Sequence, residues 1–217
     1  MDAGRTRGAL GARILISLFL ACLGSAALWA EKIVLQLNGL PSFQFAGFYM
    51  ALDKGFYGKD GLDVEIRPGG RGIDPVEEVA SGRADFGVGT SSLLLAREKG
   101  LPVTVIAAIF QHSPLVIIAR QIGKTDSIQD LIGRRIMLEP RSEELVAYLR
   151  HSGLGPATYT QLPYSYRLQD LIDGKIDAMS AHSTNEAIKL SMSNIPFDMY
   201  TPRSEGIDFY GDNLFTS

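Results

Sequence analysis

Several residues that could bind a ligand follow predicted strands, and the first group combines glycines with hydroxyls. Gly87-Val88-Gly89 ends a predicted strand, and Thr90 and Ser91 begin the helix that comes after it. Free backbone N–H groups and hydroxyls at a helix start can hold a carboxylate, a phosphate or a carbonyl oxygen. The third glycine of a dinucleotide-binding loop would fall at Ser92, and no Walker lysine follows, so a nucleotide site is not expected. The structural alternative is that Thr90 only caps its own helix.

The 3 histidines are far apart in the sequence and match no metal-ligand spacing. His151 ends an amphipathic helix, where a positive charge suits the helix dipole. His112 and His182 each follow a predicted strand. Since the carboxyl ends of parallel strands face the ligand crevice, either of these two could contact a ligand. No metal site is predicted.

No arrangement of residues indicates catalysis. The serines between Ser180 and Ser204 lack the strand–turn–helix setting of a nucleophile elbow. Glu77-Glu78 and Glu143-Glu144 lie at predicted helix starts, where negative charge is favourable without any catalytic role. The single cysteine, Cys22, precedes the α/β part of the chain, which therefore has no disulfide, thiolate metal site or cysteine nucleophile. We predict no catalytic residue.

Aromatic side chains outside the helical pattern are a further signal. Phe43, Tyr164, Tyr166 and Tyr210 are placed in loops or at strand ends. Aromatic rings in such positions suit a planar ligand, by stacking and by amphipathic contact. Packing between two lobes would explain them equally well.

The first thirty residues are typical of a secretory signal peptide. A basic start containing several arginines precedes the apolar stretch Ile14–Leu28, and small residues crowd its end. Cleavage after Ala27 or Ala30 would release a periplasmic protein. An uncleaved anchor is the alternative, but the stretch is shorter than the ~20 residues that span a bilayer. Cys22 fits a lipoprotein cleavage site less well, because Phe19 stands where an aliphatic residue is preferred.

Charge and hydropathy restrict the partners of the chain. The net charge is −3 at pH 7, and no basic run occurs after the leader, which argues against nucleic acid as a partner. No later stretch is long and apolar enough to span a membrane, so contact with the membrane is expected only through the signal segment.

Strands and helices alternate along the chain, a pattern typical of parallel sheets covered by helices. Ile33–Leu37 is a continuous apolar run suited to a buried strand, and Phe45–Leu52 has one apolar helical face. The same alternation resumes after Gln111–Pro114. A closed barrel would need about eight such units, more than are present.

We therefore predict an α/β protein with two similar lobes, each a mainly parallel sheet flanked by helices. The predicted boundaries are 1–30 for the signal peptide, 31–112 for the first lobe and 113–203 for the second lobe. Residues 204–217 begin a return to the first lobe. The chain is expected to cross between the lobes near Gln111–Pro114.

Several short motifs occur in order: Gln36-Leu37-Asn38 with Pro41–Tyr49, Gly55-Phe56-Tyr57 with Gly61-Leu62, Ser81–Gly87, Gly100–Val103, Gln111–Pro114, Thr184-Asn185-Glu186 and Gly206–Gly211. Together they resemble solute-binding proteins related to thiamine-pyrimidine synthases, the NMT1/THI5-like and SsuA-like periplasmic binding proteins. The resemblance implies a two-lobed periplasmic-binding-protein fold of type II. Relatives continue beyond the point that matches Ser217, so we expect the first lobe to be incomplete.

The resemblance implies three possible functions. The first is an extracytoplasmic binding protein for a small polar heterocycle, a thiamine pyrimidine precursor, which serves the permease of an ABC importer. The second is a thiamine-pyrimidine synthase. The third is the sensing domain of a histidine kinase or diguanylate cyclase, with the signalling module fused to it.

The synthase branch makes demands on particular residues that this sequence does not meet. Members carry a lysine and, four residues later, a histidine at the positions of Gly89 and Leu93. Their cysteine cluster corresponds to Phe209–Phe215, which contains no cysteine. Synthase chemistry is therefore disfavoured, and neither cofactor nor metal is expected.

A ligand of this kind would be recognised by three kinds of group. Hydroxyls and amides would read the edge of the heterocycle, an aromatic ring would stack on it, and a carboxylate would pair with an exocyclic amine. The residues predicted to contact the ligand are Asn38, Phe43, Gln44, Thr90, Ser91, Gln111, Ser113, Glu139, Tyr164, Tyr166, Asn185 and Glu186.

Overall fold

The computed structural model describes residues 30–121 and 127–217. The predicted signal peptide lies outside these ranges, apart from Ala30. Among the helices of the described part, none is both long and apolar enough to cross a membrane.

Ten strands form two sheets of five strands each in the described residues. The first sheet contains β1 (Glu31–Gln36), β2 (Leu62–Arg67), β3 (Phe86–Gly89), β4 (Thr104–Phe110) and β10 (Gly211–Thr216). The second contains β5 (Leu115–Arg120), β6 (Arg135–Met137), β7 (Thr160–Leu162), β8 (Ala178–His182) and β9 (Phe197–Tyr200). Their orders are β2-β1-β3-β10-β4 and β7-β6-β8-β5-β9.

The two sheets share one pattern of strand directions. β1 runs parallel to β2 and β3, whereas β10 runs antiparallel to β3 and β4. β6 likewise runs parallel to β7 and β8, and β5 runs antiparallel to β8 and β9. Each sheet is therefore mainly parallel, as predicted, with a single reversed strand. That strand enters directly from the edge strand of the other sheet.

Short helices connect the strands: α1 (Ala46–Asp53), α2 (Phe56–Lys59), α3 (Pro75–Ala80), α4 (Leu93–Glu98), α5 (Glu143–His151), α6 (Gln169–Ile172) and α7 (Glu186–Met192). Single 3₁₀ turns cover Phe43–Phe45, Ile128–Leu131 and Pro202–Glu205.

Local sequence explains where α3 begins. Asp74 has extended backbone angles, and its side chain accepts a hydrogen bond from the Val76 N–H. Pro75 occupies the first turn, where its missing N–H costs no hydrogen bond. α3 therefore has a fixed start, and its first residues lie at the cleft described below.

The apolar face of α1 is only partly buried. Phe45, just before the helix, is fully buried, and Phe48 and Tyr49 pack beside it against β1 and β2. Leu52 belongs to the same predicted face but is 43 % exposed. Gly55 ends this region with a positive φ of 66°, a conformation that glycine adopts without strain.

The central strands of each sheet are buried on both faces, which explains continuous apolar runs such as that of β5, whereas the edge strand β4 is largely exposed. In β1, Val34 and Leu35 point into separate clusters on opposite sides of the first sheet. In β5, Ile117 and Ile118 do the same in the second sheet, and both are fully buried. Burying each such side chain contributes about 1.5–3 kcal/mol. The lobes therefore have separate hydrophobic cores.

The chain crosses between the sheets in two adjacent segments. One joins β4 to β5 through residues 111–114, and the other leads from β9 to β10. They are hydrogen-bonded to each other, because the Ser113 N–H donates to the Phe209 carbonyl oxygen at 2.7 Å. A Cβ atom at Gly211 would lie 2.6 Å from Cδ of Pro114, so this approach requires glycine. The two crossings form a close-packed pair.

Candidate functional site

A cleft of about 460 Å³ lies between the two sheets. Its walls are formed by loops that follow β1, β3, β6 and β7 and by the end of β8. These are the carboxyl ends of parallel strands, where open α/β sheets bind their ligands. The volume falls within the ~300–1,000 Å³ typical of small-molecule sites. The arrangement favours a ligand enclosed by both lobes.

Most of the residues predicted from the sequence line this cleft: Asn38, Gln44, Thr90, Glu139, Tyr164, Tyr166, Asn185 and Glu186. They come from loops far apart in the chain and meet because the carboxyl ends of the parallel strands of both sheets border the same cleft. His182, for which the sequence left a ligand contact open, also lies here. Arg141 and Lys189 line the cleft as well, and neither was predicted from the sequence.

Phe43, Ser91, Gln111 and Ser113 lie outside the lining of the cleft. Phe43 is 79 % exposed, and Gln111 is exposed on the crossing segment. The hydroxyls of Ser91 and Ser113 both donate to the carboxylate of Glu144. The first two residues therefore face solvent, and the two serines have a partner within the protein.

Asn38 is held in place by a close backbone contact and by a side-chain hydrogen bond. Gly69 packs so closely that a Cβ atom there would lie 2.5 Å from the Asn38 carbonyl carbon. The Asn38 Nδ2 donates to Oδ1 of Asp212 at 3.2 Å. Its Oδ1 is buried and has no hydrogen-bond partner among the described residues. The Asn38 side chain therefore presents an unsatisfied acceptor beside the cleft.

Asp212 is a buried carboxyl at the start of β10. Its backbone has a φ of 46°, in the left-handed region that Asp adopts more readily than most residues. Burial raises the pKa of the Asp212 carboxyl, against the opposing effects of His182 and of the hydrogen bond from Asn38. Its Oδ2 has no partner among the described residues. The carboxyl is thus a second unsatisfied group behind Asn38.

His182 ends β8 and carries a positive charge into a group of carboxylates. Burial opposes its charged form, but Glu139, followed by Asp212 and Glu186, raises the pKa of the imidazole to about 9. Its Nε2 lies 3.7 Å from Oε1 of Glu139, so the attraction is ionic and longer than a hydrogen bond. At neutral pH the His182 ring is therefore a fixed cation within this group.

Glu186 lies at the start of α7 and contacts the backbone of His182. Its Oε2 accepts the His182 backbone N–H at 2.9 Å, and its Oε1 accepts from Nδ2 of Asn185 at 2.6 Å. The Asn185 side chain does not cap α7. Asn185 and Glu186 therefore orient each other at the cleft wall.

Tyr164 and Tyr166 provide the aromatic part of the site. Their ring centroids are 4.6 Å apart, and the planes meet edge to face at 75°. Burial raises the pKa of the Tyr164 hydroxyl, and the carboxylates of Glu139 and Glu186 raise it further. Tyr166 has a φ of 61° and is 37 % exposed. Tyr164 is therefore a neutral, fixed side chain, and Tyr166 is the more accessible ring.

Thr90 and Arg141 join the two lobes across the cleft. The Thr90 hydroxyl donates to the Arg141 carbonyl oxygen at 2.8 Å and accepts the Ser92 N–H at 3.3 Å. Thr90 therefore stabilises the turn before α4, where Ser92 is the N-cap residue, and also contacts the second lobe. Thr90 is therefore not the N-cap of its helix, and its contact with a ligand stays a prediction.

Glu144 makes a second connection between the lobes. It lies in α5 of the second lobe, is buried, and accepts hydrogen bonds from Ser91 of the first lobe and from Ser113. Burial raises the pKa of the Glu144 carboxyl, whereas the two hydroxyls act in the opposite direction. Glu144 is therefore a buried contact between the lobes, and not only the helix-start charge inferred from the sequence.

Apolar packing occupies Gly89 and Leu93, the positions at which the resemblance to the synthases places a lysine and a histidine. A Cβ atom at Gly89 would lie 3.0 to 3.1 Å from side-chain atoms of Leu93, which is itself buried. At the position of the cysteine cluster, Phe215 is fully buried and packs over Gly87. Side chains at these positions support the core of the first lobe.

A family model described as NMT1/THI5 like matches residues 42–217. The riboflavin-binding protein RibY of Chloroflexus aurantiacus is 27 % identical over 169 residues, which cover 74 % of this chain and 48 % of that protein. The formylaminopyrimidine-binding protein of Halalkalibacterium halodurans is 32 % identical over 107 residues, 48 % of this chain and 32 % of that protein.

An enzyme is also similar to this chain. The 4-amino-5-hydroxymethyl-2-methylpyrimidine phosphate synthase THI13 of Saccharomyces cerevisiae is 29 % identical over 153 residues, 68 % of this chain and 45 % of that protein. This chain spans about half the length of RibY and of the yeast synthase.

Solved structures show the same fold. The periplasmic aliphatic sulphonate-binding protein SsuA of Escherichia coli superposes with a TM-score of 0.61 at 15 % identity. The superposition covers 86 % of this chain and 61 % of that one. The architecture is therefore that of periplasmic solute-binding proteins.

Proposed function

Because the chain belongs to the NMT1/THI5-like family, we propose that it is an extracytoplasmic binding protein for a small polar heterocycle. The ligand would be a thiamine pyrimidine precursor, enclosed between the two lobes and delivered to the permease of an ABC importer. The observation that carries this proposal is the buried, unsatisfied Oδ1 of Asn38 beside a cleft lined by carboxylates and tyrosines.

The polar groups of the cleft match the edge of an aminopyrimidine. Oδ1 of Asn38 would accept a hydrogen bond from an exocyclic amine, and leaving it unpaired costs about 1–3 kcal/mol. Glu139 would attract the same amine through its charge, and the accessible ring of Tyr166 would lie against the heterocycle. One small planar ligand would satisfy all three residues.

The two glutamates on one side of the cleft favour an amine there over an anion such as a sulfonate. Glu139, Glu186 and the nearby Asp212 place carboxyl groups on one side of the cleft, and an anion would be repelled there. The Arg141 guanidinium is engaged by Asp74, 3.3 Å away. Lys189 and the His182 imidazolium also line the cleft and balance the charge of the two glutamates. A neutral heterocycle whose amine faces the glutamates fits this distribution.

Binding is preferred over turnover because of Gly89 and Leu93. A Cβ atom at position 89 would lie 3.0 to 3.1 Å from the Leu93 side chain, so a lysine there would require Leu93 to shift slightly. Leu93 is buried in the core of the first lobe and offers no polar atom to a metal or substrate. The binding proteins of the family are therefore the better comparison.

Isothermal titration calorimetry on the full chain tests the proposal. Formylaminopyrimidine, 4-amino-5-hydroxymethyl-2-methylpyrimidine, riboflavin and an alkanesulfonate would be titrated in separate experiments. We expect at least one pyrimidine to bind with an affinity at least about tenfold above that of the sulfonate, a difference of about 1.4 kcal/mol. Binding of riboflavin alone would identify a flavin and not a pyrimidine as the ligand. The absence of binding by any heterocycle would overturn the proposal.

A further inference from the structure

One loop of the second lobe reaches across the cleft into the first. It spans residues 138–142, between β6 and α5. The Arg141 guanidinium donates from Nη2 to the Ile73 carbonyl oxygen at 3.0 Å, and its Nη1 lies 3.3 Å from Oδ2 of Asp74. The Arg141 carbonyl oxygen accepts from the Thr90 hydroxyl at 2.8 Å. These three contacts of Arg141 are called the interlobe strap.

The partners of Arg141 are already fixed within the first lobe. Asp74 caps α3, because its Oδ1 accepts the Val76 N–H at 3.0 Å while its Oδ2 faces Arg141. The ion pair therefore orders little beyond the arginine itself. An anionic ligand that paired with the Arg141 guanidinium would have to compete with the oriented carboxylate of Asp74.

The backbone of Arg141 is shaped for these contacts. Its φ of 63° lies in the left-handed region, which is uncommon for residues other than glycine. Such a conformation persists where the surroundings hold it. It directs both the side chain and the carbonyl oxygen of Arg141 into the first lobe. Separation of the lobes would break all three strap contacts together.

We infer that Arg141 is a positioning residue which holds the two lobes closed, and that it does not bind the ligand. The inference rests on the proposed function as a binding protein whose lobes open and close by hinge motion. A contact present only in the closed form raises the closed population before any ligand arrives. It therefore strengthens the binding of every ligand by the same factor, whatever the charge of that ligand.

Spin-label distances in the ligand-free protein test this role directly. Cys22 is the single cysteine, so Cys22→Ser in the full chain allows labels at Lys99→Cys in the first lobe and Met192→Cys in the second. Arg141→Ala is compared with Asp74→Ser, which keeps a helix cap but removes the charge. Arg150→Ala, on the exposed side of α5, is the matched control. Thermal melts confirm that each variant is folded.

We expect Arg141→Ala to lower the ratio of closed to open molecules about fivefold, as loss of one ion pair and one hydrogen bond would do. Asp74→Ser should produce most of the same shift, the double variant should add little, and Arg150→Ala should match the parent. An unchanged distance distribution in Arg141→Ala, or additive shifts in the double variant, would overturn the inference. Because no ligand is present, either result is independent of whether the calorimetry finds a pyrimidine.

Discussion

Nε2 of His182 lies 3.7 Å from Oε1 of Glu139, and this ion pair joins the ends of two neighbouring strands, β8 and β6. A second contact fixes the same loop, because Oγ of Ser180 accepts the Glu139 N–H at 2.7 Å. Both side chains are largely buried. The charge of the imidazolium therefore contributes to folding as well as to the electrostatics of the cleft.

The first prediction concerns the pH dependence that follows from His182. Its folded pKa of about 9 lies above the ordinary value of 6.5, so the folded state binds the proton more tightly. The stabilisation is fully present below pH 6.5 and is lost as pH rises through 9. It amounts to about 3 kcal/mol.

Urea unfolding between pH 6 and 9 measures this effect. The free energy of unfolding of the wild type should fall across this range, and His182→Gln should remove most of the slope. His151→Gln, on an exposed helix end, should keep it. A slope that survives in His182→Gln would assign the effect to another group.

The second prediction tests Asn38 as the group that reads the heterocycle. Asn38→Ala removes the free Oδ1 and should weaken binding of the pyrimidine found by calorimetry about fivefold to tenfold, the cost of one buried hydrogen bond. Gln111→Ala changes a polar residue outside the cleft and should leave the affinity unchanged. Equal losses in both variants would contradict the placement of the ligand.

The third prediction separates stacking from hydrogen bonding at Tyr166. Tyr166→Phe keeps the ring and should bind nearly as well as the wild type, whereas Tyr166→Ala should lose about tenfold in affinity. Phe43→Ala serves as the control, because this ring points to solvent. If Tyr166→Phe binds as weakly as Tyr166→Ala, the hydroxyl and not the ring makes the contact.

The fourth prediction concerns the buried carboxyl of Glu144. Burial raises its folded pKa, so the folded state prefers the protonated form. The resulting stabilisation is present below the ordinary pKa of 4.5 and is lost as pH rises through the raised folded value. Relative to the wild type, Glu144→Gln should therefore become more stable as pH increases from 4 to 7, by at most about 1.4 kcal/mol per pH unit.

Denaturation of the two proteins side by side at several pH values would show this change. Glu143→Gln is the matched substitution, because it makes the same chemical change at the preceding residue of α5. A constant difference between wild type and Glu144→Gln would mean that Glu144 does not titrate differently in the folded state.

The sequence predicted the parts of the fold that depend on local patterns. Asp74 and Pro75 indicated the start of α3, and Asp74 makes the predicted cap. The alternation of strands and helices predicted two mainly parallel sheets. The carboxyl ends of the parallel strands of both sheets border the cleft, which brings together loop residues such as Asn38 and Glu139 although they are distant along the chain.

Features that depend on tertiary contacts were not visible in the sequence. Nothing local distinguishes β5 or β10 as the reversed strand, because direction is set by the neighbouring strands. The positive φ of Arg141 depends on partners in the other lobe, and no glycine or asparagine marks it. Glu144 follows another glutamate at a helix start, a pattern that usually indicates solvent exposure. In the structure it is buried and accepts hydrogen bonds from Ser91 and Ser113, which are distant in the sequence.

The two crossings between the sheets also impose an order of assembly during synthesis. Among the described strands, β4 pairs only with β10, which is made after the whole second lobe. The second sheet comes from the single stretch β5–β9, so it can form while the first is still open. Joining β10 to β4 closes a loop of roughly a hundred residues, at an entropic cost of about 4 kcal/mol. We expect pulsed amide exchange during refolding to show protection of β5 and β8 before β4.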